Sequence, residues 1–185
     1  MTDLAGKKIA YYGYAGWIDS AGVTKVAAAF NAAINNNYDD VYLCMSSLGG
    51  YVGDGVFLYN HIRGLPIKVT IHNTGSIASI AVAVFVAGEE RYCSVHGNFM
   101  IRPTTLGPFQ EAMPWEKLDA SLKSALAEDE RTENILRERA TLPDHILSAR
   151  RVRQVHIGPD EALKFGLVND IKEFSLPQGN EIIQI

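Results

Sequence analysis

Ile67-Lys68-Val69-Thr70-Ile71-His72, then Gly75-Ser76-Ile77-Ala78-Ser79, then the apolar run Ile80 to Ala87 read as a strand, a junction and a helix. The first stretch is rich in β-branched residues and suits a strand that ends before Gly75. From Ile77 to Ala87 the chain is apolar but for Ser79, too short to span a membrane and suited to a helix buried in a core. Ser79 stands where that helix begins. The first N–H groups of a helix lack intrahelical partners and its dipole is positive there, so an anion forming beside the serine is stabilised. An ordinary capping serine occupies the same position. The stretch by itself leaves nucleophile and cap both open.

Strands and helices alternate on both sides of this junction. Ile9 to Tyr12 is strand-like, and Asp19 or Ser20 caps a helix with apolar positions at Val23, Val26, Ala27, Phe30, Ala33 and Ile34. Asn35-Asn36-Asn37 with Asp39-Asp40 reads as a turn, and Val41 to Met45 as a buried strand. Val56, Tyr59 and Ile62 suggest a helix after Gly49-Gly50, while Arg91 to Val95 and Asn98 to Arg102 read as strands. A long helix is expected from about Trp115 to Arg139. Trp115, Leu118, Leu122 and Leu126 form an apolar stripe at its start, whereas Glu128 to Asn134 is polar nearly all round, as on an arm that projects from a globule or pairs with another subunit. Pro159 and Gly166 bracket a short helix before a strand from Leu167 to Ile171. The pattern predicts α/β layers in a single domain over residues 1–185.

Composition narrows the function classes. The 185 residues are 47% hydrophobic and 21% charged, with a net charge of −4 and no basic stripe, which argues against a nucleic-acid partner. No leader-like or membrane-spanning segment is read, so a cytoplasmic protein without a membrane partner is expected. Cys44 and Cys93 fall inside expected strands with no metal-type spacing and read as buried thiols in a reducing compartment. Neither a metal nor a cofactor is expected.

Gly49-Gly50 ends one strand as Gly75 ends another, and sites in α/β sheets gather at strand ends. Adjacent glycines let a backbone turn sharply and aim N–H groups into a cavity, as an oxyanion hole requires; a plain tight turn looks the same. Four ordered stretches carry a resemblance. Ser46-Ser47-Leu48-Gly49-Gly50-Tyr51-Val52, followed by Gly55 and Tyr59, resembles the Asn-Ser-Pro-Gly-Gly segment of the Clp protease proteolytic subunit family. Gly75-Ser76-Ile77-Ala78-Ser79-Ile80 resembles that family's nucleophile segment, and Arg91-Tyr92 with Met100-Ile101 its Arg-Tyr and Met-Ile-His stretch. Glu161-Ala162 with Phe165-Gly166-Leu167-Val168 is similar to its closing motif. The resemblance implies the α/β spiral of β-β-α units shared with the crotonase superfamily. It makes Ser79 the nucleophile position, Gly50 and Ile80 the oxyanion donors, and the helix near 115–139 a projecting handle. It also implies self-assembly into rings, heptameric and stacked in pairs in the family, with a peptide or protein substrate.

The chain departs from the family at the residues that would activate the serine. A serine hydroxyl needs a neighbouring base to take its proton. Counting from Arg91-Tyr92, the family's histidine falls at Arg102, which stays protonated and has no acceptor lone pair. Counting back from Glu161-Ala162, the family's aspartate falls at Gln154, which cannot stabilise an imidazolium by charge. Losing the base of a serine protease costs turnover on the order of a millionfold. Among His61, His72, His96, His145 and His156, the candidates for a relocated base are His72, on the strand leading to Ser79, and His156, just past Gln154. The planar fork of Arg102 would suit a carboxylate or an acidic neighbouring subunit. About eight residues precede the first expected strand, so a family-type axial loop that meets an ATPase is expected to be short or missing. Pro103 and Pro108 each remove a backbone donor from Pro103-Thr104-Thr105-Leu106-Gly107-Pro108-Phe109, where the family has a peptide-binding strand. Both departures argue against an ATPase partner. Three readings follow: a weakly active peptidase subunit, a non-catalytic ring-forming homologue, and a crotonase-like acyl-binding enzyme.

Overall fold

The structure is a computed structural model that describes residues 6–107 and 111–185, so Pro108 and Phe109 lie outside the described residues. The chain runs β1 (Ile9–Ala15), α1 (Ser20–Asn35), β2 (Asp40–Ser47), α2 (Val52–Gly64), β3 (Lys68–Ala78), α3 (Ile80–Phe85), β4 (Glu90–Cys93) and β5 (Asn98–Ile101). It continues through α4 (Trp115–Arg139), α5 (Asp144–Arg150), β6 (Val155–Ile157), α6 (Pro159–Lys164), β7 (Asp170–Ile171) and β8 (Ile182–Gln184). As expected, Asp19 caps α1: its carboxylate accepts from the Gly22 N–H at 2.8 Å.

The strands form one sheet in the spatial order β6-β5-β3-β2-β1-β8, with β4 beside β3 and β7 beside β4. All pairs are parallel except β5–β6. β3 is the pivot because it changes partner along its length. Thr70 to Asn73 pair with β4, whereas Ser76 to Ala78 pair with β5. Fully buried Asn73 stabilises the change, donating from Nδ2 to the Asn98 carbonyl at 2.8 Å and accepting from the Gly75 N–H at 3.0 Å. A Cβ on Gly75 would lie 2.8 Å from Ser46 Oγ, so the serine side chain would have to move to admit one.

The strand does not stop at His72; it runs to Ala78, and the helix starts at Ile80 and ends at Phe85, two residues short of the end of the apolar run. The second ladder with β5 supplies the reason, since it pairs the backbone of Ser76 to Ala78. An apolar run alone does not separate a buried strand from a buried helix. Every residue of α3 is buried. Removing side chains such as Val82, Val84 and Phe85 from water stabilises the fold by about 1.5–3 kcal/mol each. At the far end of this helix, buried Arg91 donates to the carbonyls of Val86, Gly88, Arg139, Gly166 and Leu167. Arg139 donates to Val86 and Gly88 as well, at 3.0 and 3.2 Å. The helix behind Ser79 is therefore held at its exit by two guanidinium groups.

α4 spans the expected residues, but its two halves exchange the roles read from the sequence. The polar stretch is the docked half, with Thr132, Glu133, Ile135 and Leu136 buried. The apolar stripe projects instead: Trp115 is 73% exposed and Leu126 58%. Charge pairing explains the reversal. Glu133 accepts from Arg137 and Arg151, and Arg150 lies 3.5 Å away, so a carboxylate that reads as surface is buried among cations. The strand expected at Leu167 to Ile171 shortens to β7, while α5, β6 and β8 were not expected.

Candidate active site

Ser79 sits at the strand-to-helix corner with φ 56° and ψ −131°. A non-glycine residue rarely adopts positive φ, and this ψ lies outside even the left-handed helical well. Such a corner stores on the order of 1–3 kcal/mol of strain, and strained corners of this kind gather at functional sites. The serine makes no side-chain capping bond. The Ser79 N–H is held by the Met100 carbonyl at 2.7 Å, which ties the corner to β5.

Gly49-Gly50 lies against this corner. Gly49 has φ +103°, and a Cβ there would come 2.8 Å from Ser79 Cβ and 3.4 Å from its Oγ. A Cβ on Gly50 would come 2.0 Å from the Ile18 carbonyl oxygen. Both positions exclude a side chain. Gly50 bridges Ile18 in parallel fashion through the Gly49 carbonyl and the Tyr51 N–H. The Gly50 N–H itself takes no part in this bridge. Ile80 opens α3, so its N–H has no partner within the helix. Of the two donors expected from the sequence, Ile80 follows Ser79 in the chain and Gly50 follows the glycine that packs against it.

A cavity of about 10 Å³, the size of one water, is lined by Val52, Ser79, Ile80, Ile101, Arg102, Thr104, Thr132, Leu136 and Arg150. Arg102 therefore shares the serine's cavity. Its Nε is buried without a hydrogen-bond partner, and no carboxylate among the described residues pairs with it. Gln154 is exposed and does not line the cavity. The β5–β6 register pairs Met100 with His156 and Ile101 with Val155, so Arg102 and Gln154 are the next pair outward. Two positions counted from separate motifs thus fall opposite each other.

Among the described residues no imidazole lines the cavity. His72 is wholly buried, on the order of 20 Å back along β3, with Nδ1 bonded to the Tyr42 hydroxyl at 2.8 Å and Nε2 to Ser94 Oγ at 3.2 Å. Both ring nitrogens are occupied, and burial lowers its pKa below the ordinary value of 6.5. His156 is exposed on β6 and does not line the cavity either. The expected relocated base is found in neither place.

Sequence reasoning missed Arg150. This guanidinium is 2% exposed, pairs with Asp129 at 3.3 Å and Glu133 at 3.5 Å, and donates to the Arg102 carbonyl at 3.5 Å. Burial lowers its pKa, opposed by those two carboxylates. Asp129 also accepts from the Thr104 N–H and hydroxyl, so α4 holds the segment that follows Arg102. In the sequence Arg150-Arg151-Val152-Arg153 looks like a solvated basic run; no spacing singles out its first member.

Residues 14–174 match the Clp protease family. The chain belongs to this family. It is 26% identical over 168 residues to the ATP-dependent Clp protease proteolytic subunit 2 of Pseudomonas aeruginosa, covering 88% of this chain and 82% of that protein. The proteolytic subunit 3 of Rhizobium meliloti is 26% identical over 149 residues, covering 80% and 75%. A solved ClpP1 mutant from Listeria monocytogenes superposes with a TM-score of 0.75, over 90% of this chain and 91% of that one, at 20% identity. The α/β architecture described above is the Clp protease fold. Among the described residues no helix is long and apolar enough to cross a membrane.

Proposed function

We propose that this Clp protease family chain is a ring-forming subunit that presents Ser79 beside an oxyanion hole but lacks the base that would activate it. Its peptidase activity is weak or absent. The observation that supports this most is the cavity holding Ser79: it contains Arg102 and Arg150 and no imidazole. Guanidinium is always protonated and donates only, so neither arginine removes the serine proton. Gly50 and Ile80 supply donors for a carbonyl oxygen, which binds and polarises a peptide without completing attack. Gln154, at the position of the orienting carboxylate, carries no charge with which to stabilise an imidazolium.

Self-assembly follows from the exposed stripe Trp115, Leu118, Leu122 and Leu126 on the projecting half of α4, an apolar surface that a monomer would leave in water. The relatives are named as ATP-dependent. ATPase-coupled degradation is doubtful for this chain, because Pro103 removes a donor where the family pairs a strand with substrate backbone. Two buried free thiols, Cys44 and Cys93, fit a reducing cytoplasmic setting. Restoring the missing groups tests the proposal. Arg102→His with Gln154→Asp should raise cleavage of a fluorogenic peptide at least about a hundredfold over the unaltered chain, and Ser79→Ala should abolish the gain. Equal, substantial cleavage by the unaltered chain would refute it.

A further inference from the structure

Resting on that reading of Ser79, we propose that the serine site is a receptor for the C-terminal carboxylate of a peptide, and that Arg102 distinguishes acid from amide. A peptide carbonyl placed against Ser79 puts its oxygen toward the N–H groups of Gly50 and Ile80. The carbonyl carbon's other substituent then faces the side from which a base would work, the side where Arg102 stands. In an internal peptide bond that substituent is an N–H, and a guanidinium meets it donor to donor. In a C-terminal carboxylate it is a second oxygen, which accepts from guanidinium in a charge-assisted hydrogen bond. The arginine that disables the site for cleavage is complementary to the acid that cleavage leaves.

Local charges favour an incoming anion. Arg150 is already matched by Asp129 and Glu133, whereas Arg102 has no carboxylate partner among the described residues. Arg102 is tied to this cluster, since Arg150 donates to its carbonyl. A half-buried guanidinium without a counter-ion has lost part of its hydration with nothing in exchange, and an external carboxylate corrects this. Arg150 lines the same cavity, and its Nε is buried without a partner. Enclosed space here amounts to about 10 Å³, so the carboxylate meets Arg102 from its open side and the void holds at most one water.

The test uses the full chain and fluorescein-labelled tetra-alanine in three forms: free acid, C-terminal amide, and an amide whose last residue is Glu. Fluorescence anisotropy should show the acid binding about tenfold or more tighter than either amide. Arg102→Gln should bring the acid to within about threefold of the amides, while Arg102→Lys, which keeps the charge, retains part of the preference. Circular dichroism and sedimentation of both variants exclude misfolding as the cause. Equal binding of acid and plain amide would overturn the carboxylate receptor and leave the peptide-site reading standing. Tight binding of the Glu-ended amide would overturn the assignment to the main-chain carboxylate. Failure of all three peptides to bind would overturn the proposal outright. Failure of the underlying reading shows separately, as rapid covalent labelling of Ser79.

Discussion

Neutralising Glu133 should loosen the junction between α4 and the serine cavity. The Glu133 side chain is 6% exposed and has three arginines around it, Arg137 at 3.0 Å, Arg151 at 2.8 Å and Arg150 at 3.5 Å. Arg137 and Arg151 are 46% and 62% exposed, so water replaces the carboxylate for them and each pair contributes only about 0.2–1 kcal/mol. Arg150 is different, because it is 2% exposed and would keep only Asp129. Stripping a buried ion of its partner costs about 3–5 kcal/mol when nothing replaces it, and the remaining Asp129 reduces this. Glu133→Gln should therefore destabilise the chain by about 2–3 kcal/mol, lowering Tm by roughly 5–10 °C at fixed protein concentration. Arg150→Met, which substitutes an apolar chain for the buried charge, should cost less than Glu133→Gln. In a double-mutant cycle the pair should show a coupling of about 1 kcal/mol or more. The carboxylate's pKa is lowered, first by the hydrogen bond from Arg151. Its stabilisation is thus present above the ordinary value of 4.5 and lost as pH falls through the lowered one. A Glu133→Gln variant within about 0.5 kcal/mol of the unaltered chain, measured by denaturant titration, would refute the argument that buried pairing docks α4.

The His72 pKa is lowered mainly by burial, so the unfolded chain binds the extra proton more readily and stability is complete above pH 6.5. Stability should fall as pH drops from 6.5 toward the depressed value, by at most about 1.4 kcal/mol per pH unit from this group, and His72→Gln should flatten that slope; an unchanged slope would contradict the assignment. Sedimentation should show a ring-sized oligomer, with Trp115→Ser and Leu122→Ser shifting it at least about tenfold toward smaller species at equal concentration. A chain that sediments only as monomer would count against self-assembly through α4.

The alternation of strands and helices, the long helix and the serine corner were legible because each rests on local pattern. Asp19 before an apolar period announces α1, and Gly75 through Ser79 before a polar-free run announces a strand-to-helix junction. Three things were not legible. The extension of β3 to Ala78 depends on a second partner strand, and nothing inside Ser76-Ile77-Ala78 marks it. The docking of Glu128 to Asn134 depends on Arg150 and Arg151, which are remote in sequence, so a polar stretch that periodicity assigns to water is buried through charge pairing. The positive φ of Ser79 leaves no composition signal, because serine at that corner looks identical to a capping serine. Arg102 was legible by counting from Arg91-Tyr92. That its guanidinium lacks a counter-ion belongs to the three-dimensional arrangement alone.

The central claim is that Ser79 is presented but not activated, and reaction with a fluorophosphonate reads that state directly. The purified protein should label at Ser79 at least about a hundredfold more slowly than an active serine peptidase treated in parallel, or not at all. Rapid, stoichiometric labelling that Ser79→Ala abolishes would show that a base reaches the hydroxyl, and would contradict the account.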